Sequence, residues 1–131
     1  MQVWLESGEP IQGVDLVLGH NLQIDGDALY IEGKQVGRRV DVSNSEGQSK
    51  ARAMAGSVEW ILLDLGEWKM IPIENIIAAC DGGPTKVAAR ISSPEQVLGA
   101  AFALQIGVDA LLVDEKTLQT ALIAKSQRGE A

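Results

Sequence analysis

Residues 58–64 read VEWILLD, a short and almost continuous apolar run. Such a run is typical of a strand that is buried on both faces of a parallel sheet. Two similar runs follow it, KVAARI at Lys86–Ile91 and ALLV at Ala110–Val113, and helical patterns separate the three. The runs start about 24–28 residues apart. This spacing predicts repeated βα units joined by right-handed crossovers.

The helices between these runs carry start and stop signals. Pro72 suits the first position of a helix that ends in the turn 81–84. Ser93 predicts the cap of a second helix, with Gln96 closing a capping box and Gly107 ending the helix. Asp114 predicts the cap of a third helix, which frays after residue 124.

The first part of the chain gives weaker signals. Residues 38–42 predict a strand, and residues 45–55 predict an exposed helix capped by Asn44 or Ser45. Short strands are indicated at 3–5, 14–18 and 28–31, and turn-rich links too short for crossover helices join them. Antiparallel or irregular pairing is therefore expected here.

These signals predict one α/β domain over residues 1–131. We expect an irregular β-rich lead-in over 1–37, βα repeats over 38–126 and a frayed tail over 127–131. A closed eight-unit barrel needs about 250 residues. The mainly parallel sheet is therefore expected to be half-barrel-like or a small open sheet.

Composition and charge exclude several classes of protein. Apolar residues make up 46% and charged residues 22% of the chain, as in an ordinary globular domain. The net charge of −7 argues against nucleic acid as a partner. No apolar run is long enough to span a bilayer, and no signal-peptide pattern opens the chain. A lone cysteine, Cys80, fits the cytoplasm and an inert core position.

Candidate site residues follow from the rule that ligands bind beyond the carboxyl ends of parallel strands. Asp64 ends one predicted strand, and Lys69, Glu74 and Asn75 follow it. Arg90 ends the next strand, on the same face as Lys86. Arg90 is equally well explained by an ion pair and by a bound carboxylate or phosphate. Glu74 also fits a helix-dipole role, and Lys69 a solvated charge.

Other motifs are uninformative or absent. The sequence has neither standard glycine-rich phosphate loop. One histidine, His20, and one distant thiol predict no metal site. A basic block at 34–52 either holds a small anion or is a solvated surface; it comprises Lys34, Arg38, Arg39, Lys50 and Arg52.

Residues 66–78, GEWKMIPIENIIA, resemble a segment of the type II 3-dehydroquinate synthases. Lys86–Ala89, then Ser93 and Glu95, and finally 104–112 agree with later motifs of this family in order and spacing. The resemblance covers about residues 58–122. Gln105 stands where the family usually has Glu, and Ala110 where it has Gly.

The resemblance implies a reaction and roles for the candidate residues. The family uses NAD⁺ to deaminate an amino-heptulosonate, a small sugar acid, oxidatively and to cyclise it to 3-dehydroquinate in aromatic amino-acid biosynthesis. Lys69, Glu74 and Lys86 are the implied catalytic residues. The implied substrate-binding residues are Asn75, Arg90 and Asp64.

The same resemblance leaves alternatives open. The family's β-rich carboxyl-terminal portion has no counterpart in these residues, so a non-catalytic or partner-dependent assembly module is the second hypothesis. A different small-molecule domain on the same scaffold is the third. A homo-oligomer or a complementing chain is expected, because the apolar strands need cover on both faces.

Overall fold

A computed structural model describes residues 1–64 and 70–128, without the side chains of residues 70–72 and 105. The described strands are β1 Gln2–Leu5, β2 Leu16–Val17, β3 Leu22–Asp25, β4 Ala28–Ile31, β5 Lys34–Asp41, β6 Trp60–Asp64, β7 Lys86–Arg90 and β8 Ala110–Val113. The described helices are α1 Ser45–Ala53, α2 Met70–Cys80, α3 Pro94–Phe102 and α4 Leu118–Gln127, and a 3₁₀ turn, Ala103–Gln105, follows α3.

The eight described strands form one sheet in the order β2-β1-β8-β7-β6-β5-β4-β3. All neighbours from β5 to β8, and then β1 and β2, pair in parallel. A bridge between Leu18 and Leu22 links the two ends of this order, so the sheet nearly closes. The predicted α/β class and mainly parallel sheet are confirmed, and the sheet is larger than a half barrel.

The amino-terminal strands explain this larger size. β3, β4 and β5 pair antiparallel, as expected. The expectation of antiparallel or irregular pairing is wrong for β1, which lies between β2 and β8 and pairs in parallel with both. The loop of residues 6–15 replaces the crossover helix that sequence reasoning required. This loop is attached to α4 by Lys125, whose ammonium group donates a hydrogen bond to the carbonyl oxygen of Gly13 at 3.0 Å.

The core has two layers, one on each face of the sheet. The outer face packs against the helices through residues such as Ile61, Leu63 and Val87. The inner face holds a second cluster around Trp4 and Trp60, whose ring centroids lie 4.8 Å apart. The chain therefore buries both faces of the central strands by curling the sheet.

The caps partly follow the sequence signals. Asn44 caps α1, where its side chain accepts from the N–H of Gly47 at 2.8 Å. The predicted capping box at Ser93 is wrong, because Gln96 accepts instead from the backbone N–H of Ser92 at 2.8 Å. α2 starts two residues before Pro72, and α3 ends at Phe102, well before Gly107. No helix in the described residues is long and apolar enough to cross a membrane.

Gly37 is a position where the sheet leaves no room for a side chain. A Cβ atom there would lie 1.8 Å from the carbonyl oxygen of Trp60. We expect Gly37→Ala to lower the free energy of unfolding by about 2 kcal/mol or more, because neighbouring backbone must move. Urea denaturation measures this. Gly83→Ala is the control, since its Cβ would meet only the Cys80 carbonyl oxygen, at 3.5 Å. Equal stability losses in both variants would contradict the expectation.

Candidate functional site

Three polar residues form a row at the carboxyl edge of the parallel strands. Asp41 pairs with Asp64 across β5 and β6, and Asp64 pairs with Arg90 across β6 and β7. Residues paired in this way point to the same face of the sheet, and the strands that carry them lie about 4.8 Å apart. Leu62 and Ala88, two positions earlier on β6 and β7, belong to the inner cluster. The row therefore faces the interior of the curled sheet.

Arg90 is held by Glu6, the residue that directly follows β1. Its Nε donates to Oε1 of Glu6 at 3.0 Å, and its Nη2 bonds the same oxygen. The exposed fractions of the two side chains are 33% for Arg90 and 23% for Glu6, so the pair is only partly open to solvent. The sequence left two roles open for Arg90, an ion pair or a contact to a bound anion. In this structure Arg90 forms the ion pair. A ligand carboxylate would have to compete with Glu6.

Arg39 joins the row from the layer beneath it. Its guanidinium lies 3.5 Å from Asp27 and 3.5 Å from Asp64, and so links two carboxylates. Asp41 accepts a hydrogen bond from the backbone N–H of Ser43 at 2.9 Å. Hydrogen bonds from the Ser43 hydroxyl and backbone hold the pKa of the Asp41 carboxyl below its usual value. Asp41 therefore stays charged in any neutral solution.

We call these six residues the acidic rim: Glu6, Asp27, Arg39, Asp41, Asp64 and Arg90. Four carboxylates and two guanidiniums give it an excess of two negative charges. A cavity of about 320 Å³ adjoins the rim at β5 and α1, where Arg39, Asp41 and Lys50 line it. The excess negative charge of this surface favours a ligand with an ammonium group. Its guanidiniums can also bind a carboxylate of the ligand.

Of the five predicted site residues that the structure describes, two lie together. Asp64 and Arg90 lie in the rim. Glu74 is half-buried and Asn75 is exposed, both on α2 in the outer layer. Lys69 lies outside the described residues.

Lys86 lies on the predicted face and at the opposite end of the strand from Arg90. It starts β7, four residues before Arg90, which is a separation of about 13 Å along the strand. Its ammonium group lies 5.5 Å from the ring centroid of Trp60. Lys86 therefore belongs to the amino edge of the sheet, away from the rim.

Sequence reasoning missed Glu6, and the signal for it was present. Glu6 directly follows the apolar run Val3–Leu5, just as Asp64 follows its own strand. The carboxyl-end rule was not applied there because β1 was not expected to be parallel. Arg39 was noted only as part of the basic block. That block is divided in the fold, since Arg39 and Lys50 line the rim cavity whereas Lys34 and Arg38 line others.

Helix N-termini and acidic clusters are the features of the described residues that bear on cofactor and metal binding. The N-terminus of α1 is closed by the side chain of Asn44, whereas α3 and α4 have no side-chain cap. No group of three or more His, Cys, Asp or Glu side chains among residues 1–64 and 70–128 is placed to hold a metal ion.

Comparison with known proteins gives a consistent result. Residues 6–126 match the family model described as the 3-dehydroquinate synthase II N-terminal domain. The chain is 31% identical over 93 residues to a 3-dehydroquinate synthase of Nitrosopumilus maritimus, covering 70% of this chain and 26% of that protein. It is 30% identical over 104 residues to a 3-dehydroquinate synthase of Methanocella arvoryzae, covering 76% of this chain and 28% of that protein.

The chain thus spans about a quarter of the length of the relatives it matches. No solved structure matches it.

The Glu6–Arg90 pair can be tested for its contribution to stability. We expect a double-mutant cycle of Glu6→Gln and Arg90→Gln to give a coupling energy of about 1 kcal/mol, because the pair is only partly buried. Chemical denaturation of the four proteins measures it. Lys125 and Asp15, which lie 2.9 Å apart and are also partly exposed, provide a matched reference cycle. A coupling energy of zero for Glu6–Arg90 would show that the pair does not hold the rim together.

Cys80 gives a prediction that depends on pH. Its side chain is buried, and burial raises the pKa of the thiol. Since the thiolate is the reactive form, we expect Cys80 to react slowly with a disulfide reagent at pH 7 and faster as the pH rises above the ordinary thiol range. Unfolding in guanidinium should restore ordinary reactivity. Fast reaction of the folded chain at pH 7 would contradict this expectation.

Proposed function

Because the chain belongs to the 3-dehydroquinate synthase II family, we propose that it takes part in the NAD⁺-dependent oxidative deamination and cyclisation of an amino-heptulosonate to 3-dehydroquinate. The acidic rim is the observation that carries this proposal. The substrate class has both an amine and a carboxylate, and the rim offers partners for both. Family membership supplies the reaction, and the rim supplies a place for the substrate.

The two ends of the substrate would meet different parts of the rim. The amine is positively charged in solution, and the carboxylates of Asp41 and Asp64 are adjacent in the row. Asp64 is the candidate for holding the amine, with Arg39 fixing its orientation at 3.5 Å. Arg90 is the candidate for holding the substrate carboxylate, which would replace Glu6 on its guanidinium.

The proton transfers need a base near the amine-bearing carbon. Lys69 and Glu74 remain the proposed residues for this role, since both follow β6 at the carboxyl side of the sheet. Glu74 is half-buried on α2. Asn75 remains the proposed partner for a substrate hydroxyl. We do not include Lys86 in the proposed site, because it lies at the amino edge of the sheet.

No described residue is assigned to NAD⁺. Dinucleotides are usually bound at a helix N-terminus that presents free backbone N–H groups, often after a glycine-rich turn. The sequence has neither standard glycine-rich phosphate loop, and the N-terminus of α1 is closed by the side chain of Asn44. We therefore propose that the cofactor is bound by other parts of the active protein, and we assign none of the rim residues to it.

A second candidate function is a partner-dependent assembly module without activity of its own. The observation that favours it is the span of the chain, about a quarter of its relatives. In this case the rim would contribute to a site that is completed only when the remaining part of the family's chain is present, on the same polypeptide or on another.

The test incubates the chain with NAD⁺ and the amino-heptulosonate and follows NADH and 3-dehydroquinate together. It is run alone and with the remaining part of the Nitrosopumilus maritimus relative. Under the proposal, equal amounts of both products form in at least one of the two mixtures. Products that form only when the remaining part of the relative is present support the assembly module. The absence of product in both incubations, from a folded sample, overturns the enzymatic proposal.

Substitutions locate the site in an active mixture. We expect Arg90→Gln to lower kcat/KM by about 100-fold, since a charge-assisted contact to the substrate is lost. Arg90→Lys should recover part of this loss. Lys86→Gln is the control, because this lysine is on the same strand and face but at the opposite edge. Equal losses in Lys86→Gln and Arg90→Gln would remove the rim from the proposal.

A further inference from the structure

The outer surface of α3 carries apolar side chains that nothing in the described residues covers. Leu98 and Phe102 lie one turn apart on α3, with exposed fractions of 53% and 40%. The chain then continues through Leu104 and Ile106, which are 48% and 41% exposed. We call these four residues the α3 stripe. Single exposed apolar residues are ordinary, but four within nine positions indicate an interaction surface.

The backbone beneath the stripe is held in an unusual conformation. Leu104 has a φ of +54°, in the left-handed region that costs a leucine about 1–2 kcal/mol. Gly107 closes the same turn at a φ of +75°, and a Cβ atom there would lie 1.9 Å from the carbonyl oxygen of Ala101. Exposure of the Leu104 side chain to solvent does nothing to offset the cost of this backbone conformation. Strained residues of this kind cluster at functional sites of proteins.

The carboxyl end of α4 lies beside this surface. α4 stops at Gln127, and the guanidinium of Arg128 donates to the carbonyl oxygens of Val108 and Ile106, the second of them at 3.2 Å. Residue 128 is therefore fixed next to the end of the α3 stripe. The family model matched by residues 6–126 describes an N-terminal domain, and this chain covers 26–28% of two relatives, so the family's chain continues beyond this domain.

We propose that the α3 stripe docks the part of the family's chain that follows the N-terminal domain, whether this part is carried on the same polypeptide or on a separate one. The proposal rests on the family membership used above and names the surface on which the assembly forms. The stripe contains no charged residue. Its occupant therefore presents an apolar face of its own, which covers Leu98, Phe102, Leu104 and Ile106.

The occupant is proposed to be this polypeptide and not a second copy of the chain because of the position of Arg128. Where this part is carried on the same polypeptide, a segment that begins next to Ile106 reaches the stripe without a long linker, so its effective concentration there is high. Two copies of the chain would gain no such advantage. Self-association through the stripe is therefore an outcome that contradicts the proposal.

The test is co-expression of the full chain with the remaining part of the Nitrosopumilus maritimus relative, followed by co-purification and titration. We expect a stable one-to-one complex. The double variant Leu98→Lys/Phe102→Lys should weaken the affinity by about tenfold or more, since two apolar contacts are replaced by charges. Ile123→Lys is the matched control: this isoleucine is 55% exposed on α4 and should change the affinity by no more than about twofold.

A fused protein keeps the test decisive if the separate part does not fold. Here the chain replaces the N-terminal domain of the same relative in one polypeptide. Docking predicts one cooperative unfolding transition, which Leu98→Lys/Phe102→Lys splits in two while Ile123→Lys does not. Two independent transitions in the unsubstituted fusion would overturn the proposal. So would equal effects of the two variants, or sedimentation showing that the stripe is buried between two copies of the chain.

Binding is measured without substrate or cofactor. A complex that depends on the stripe but makes no product would therefore count against the proposed reaction alone. Product formation that persists in the double variant at undiminished affinity would count against the docking surface alone.

Discussion

The packing of Trp4 against Trp60 is the interaction on which the sheet depends. The two rings come from β1 and β6, which are separated by β7 and β8 in the strand order. They can meet only because the sheet curls and because the inward positions beside them are small, at Gly37, Ala88 and Ala110. Both indoles are almost fully buried, at 0% and 4% exposure. Two large rings beside three small residues thus help to set the curvature, and aliphatic side chains such as Leu62 and Leu112 fill the rest of the interior.

This packing also determines where a ligand has access. Below the rim the interior is filled by apolar side chains, as in a closed barrel, so no channel runs through the sheet. Towards the carboxyl edge, polar inward positions begin with Arg39 and continue with Asp64 and Arg90. The rim is consequently a shallow surface on a rigid base. A shallow surface does not enclose a sugar acid and a dinucleotide by itself, which agrees with an active protein that has a further part above or beside it.

The sequence predicted the parallel half of the fold well, because its signals are local. The runs around Trp60, Lys86 and Ala110 became β6, β7 and β8, since uniformly apolar strands have few alternatives. The position of β1 was not predictable in the same way. Its partners are β2, across a ten-residue loop, and β8, more than a hundred residues away, and neither pairing leaves a periodic trace in the sequence. The strand-end positions of Asp64 and Arg90 followed from the sequence, whereas Glu6 was missed because its strand was placed in the wrong class of pairing.

The position of β1 between β2 and β8 also has a consequence for biosynthesis. Gln2 pairs with Ala110 and Leu5 pairs with Val113, so β1 pairs over its full length only with a strand that is synthesised more than a hundred residues later. Until residue 113 has left the ribosome, β7 is an open edge and Trp4 has no interior to enter. Contacts at this sequence separation make folding slow, and they expose an apolar edge while the chain is incomplete. The nascent chain is therefore expected to depend on chaperones more than a helical bundle of equal length does.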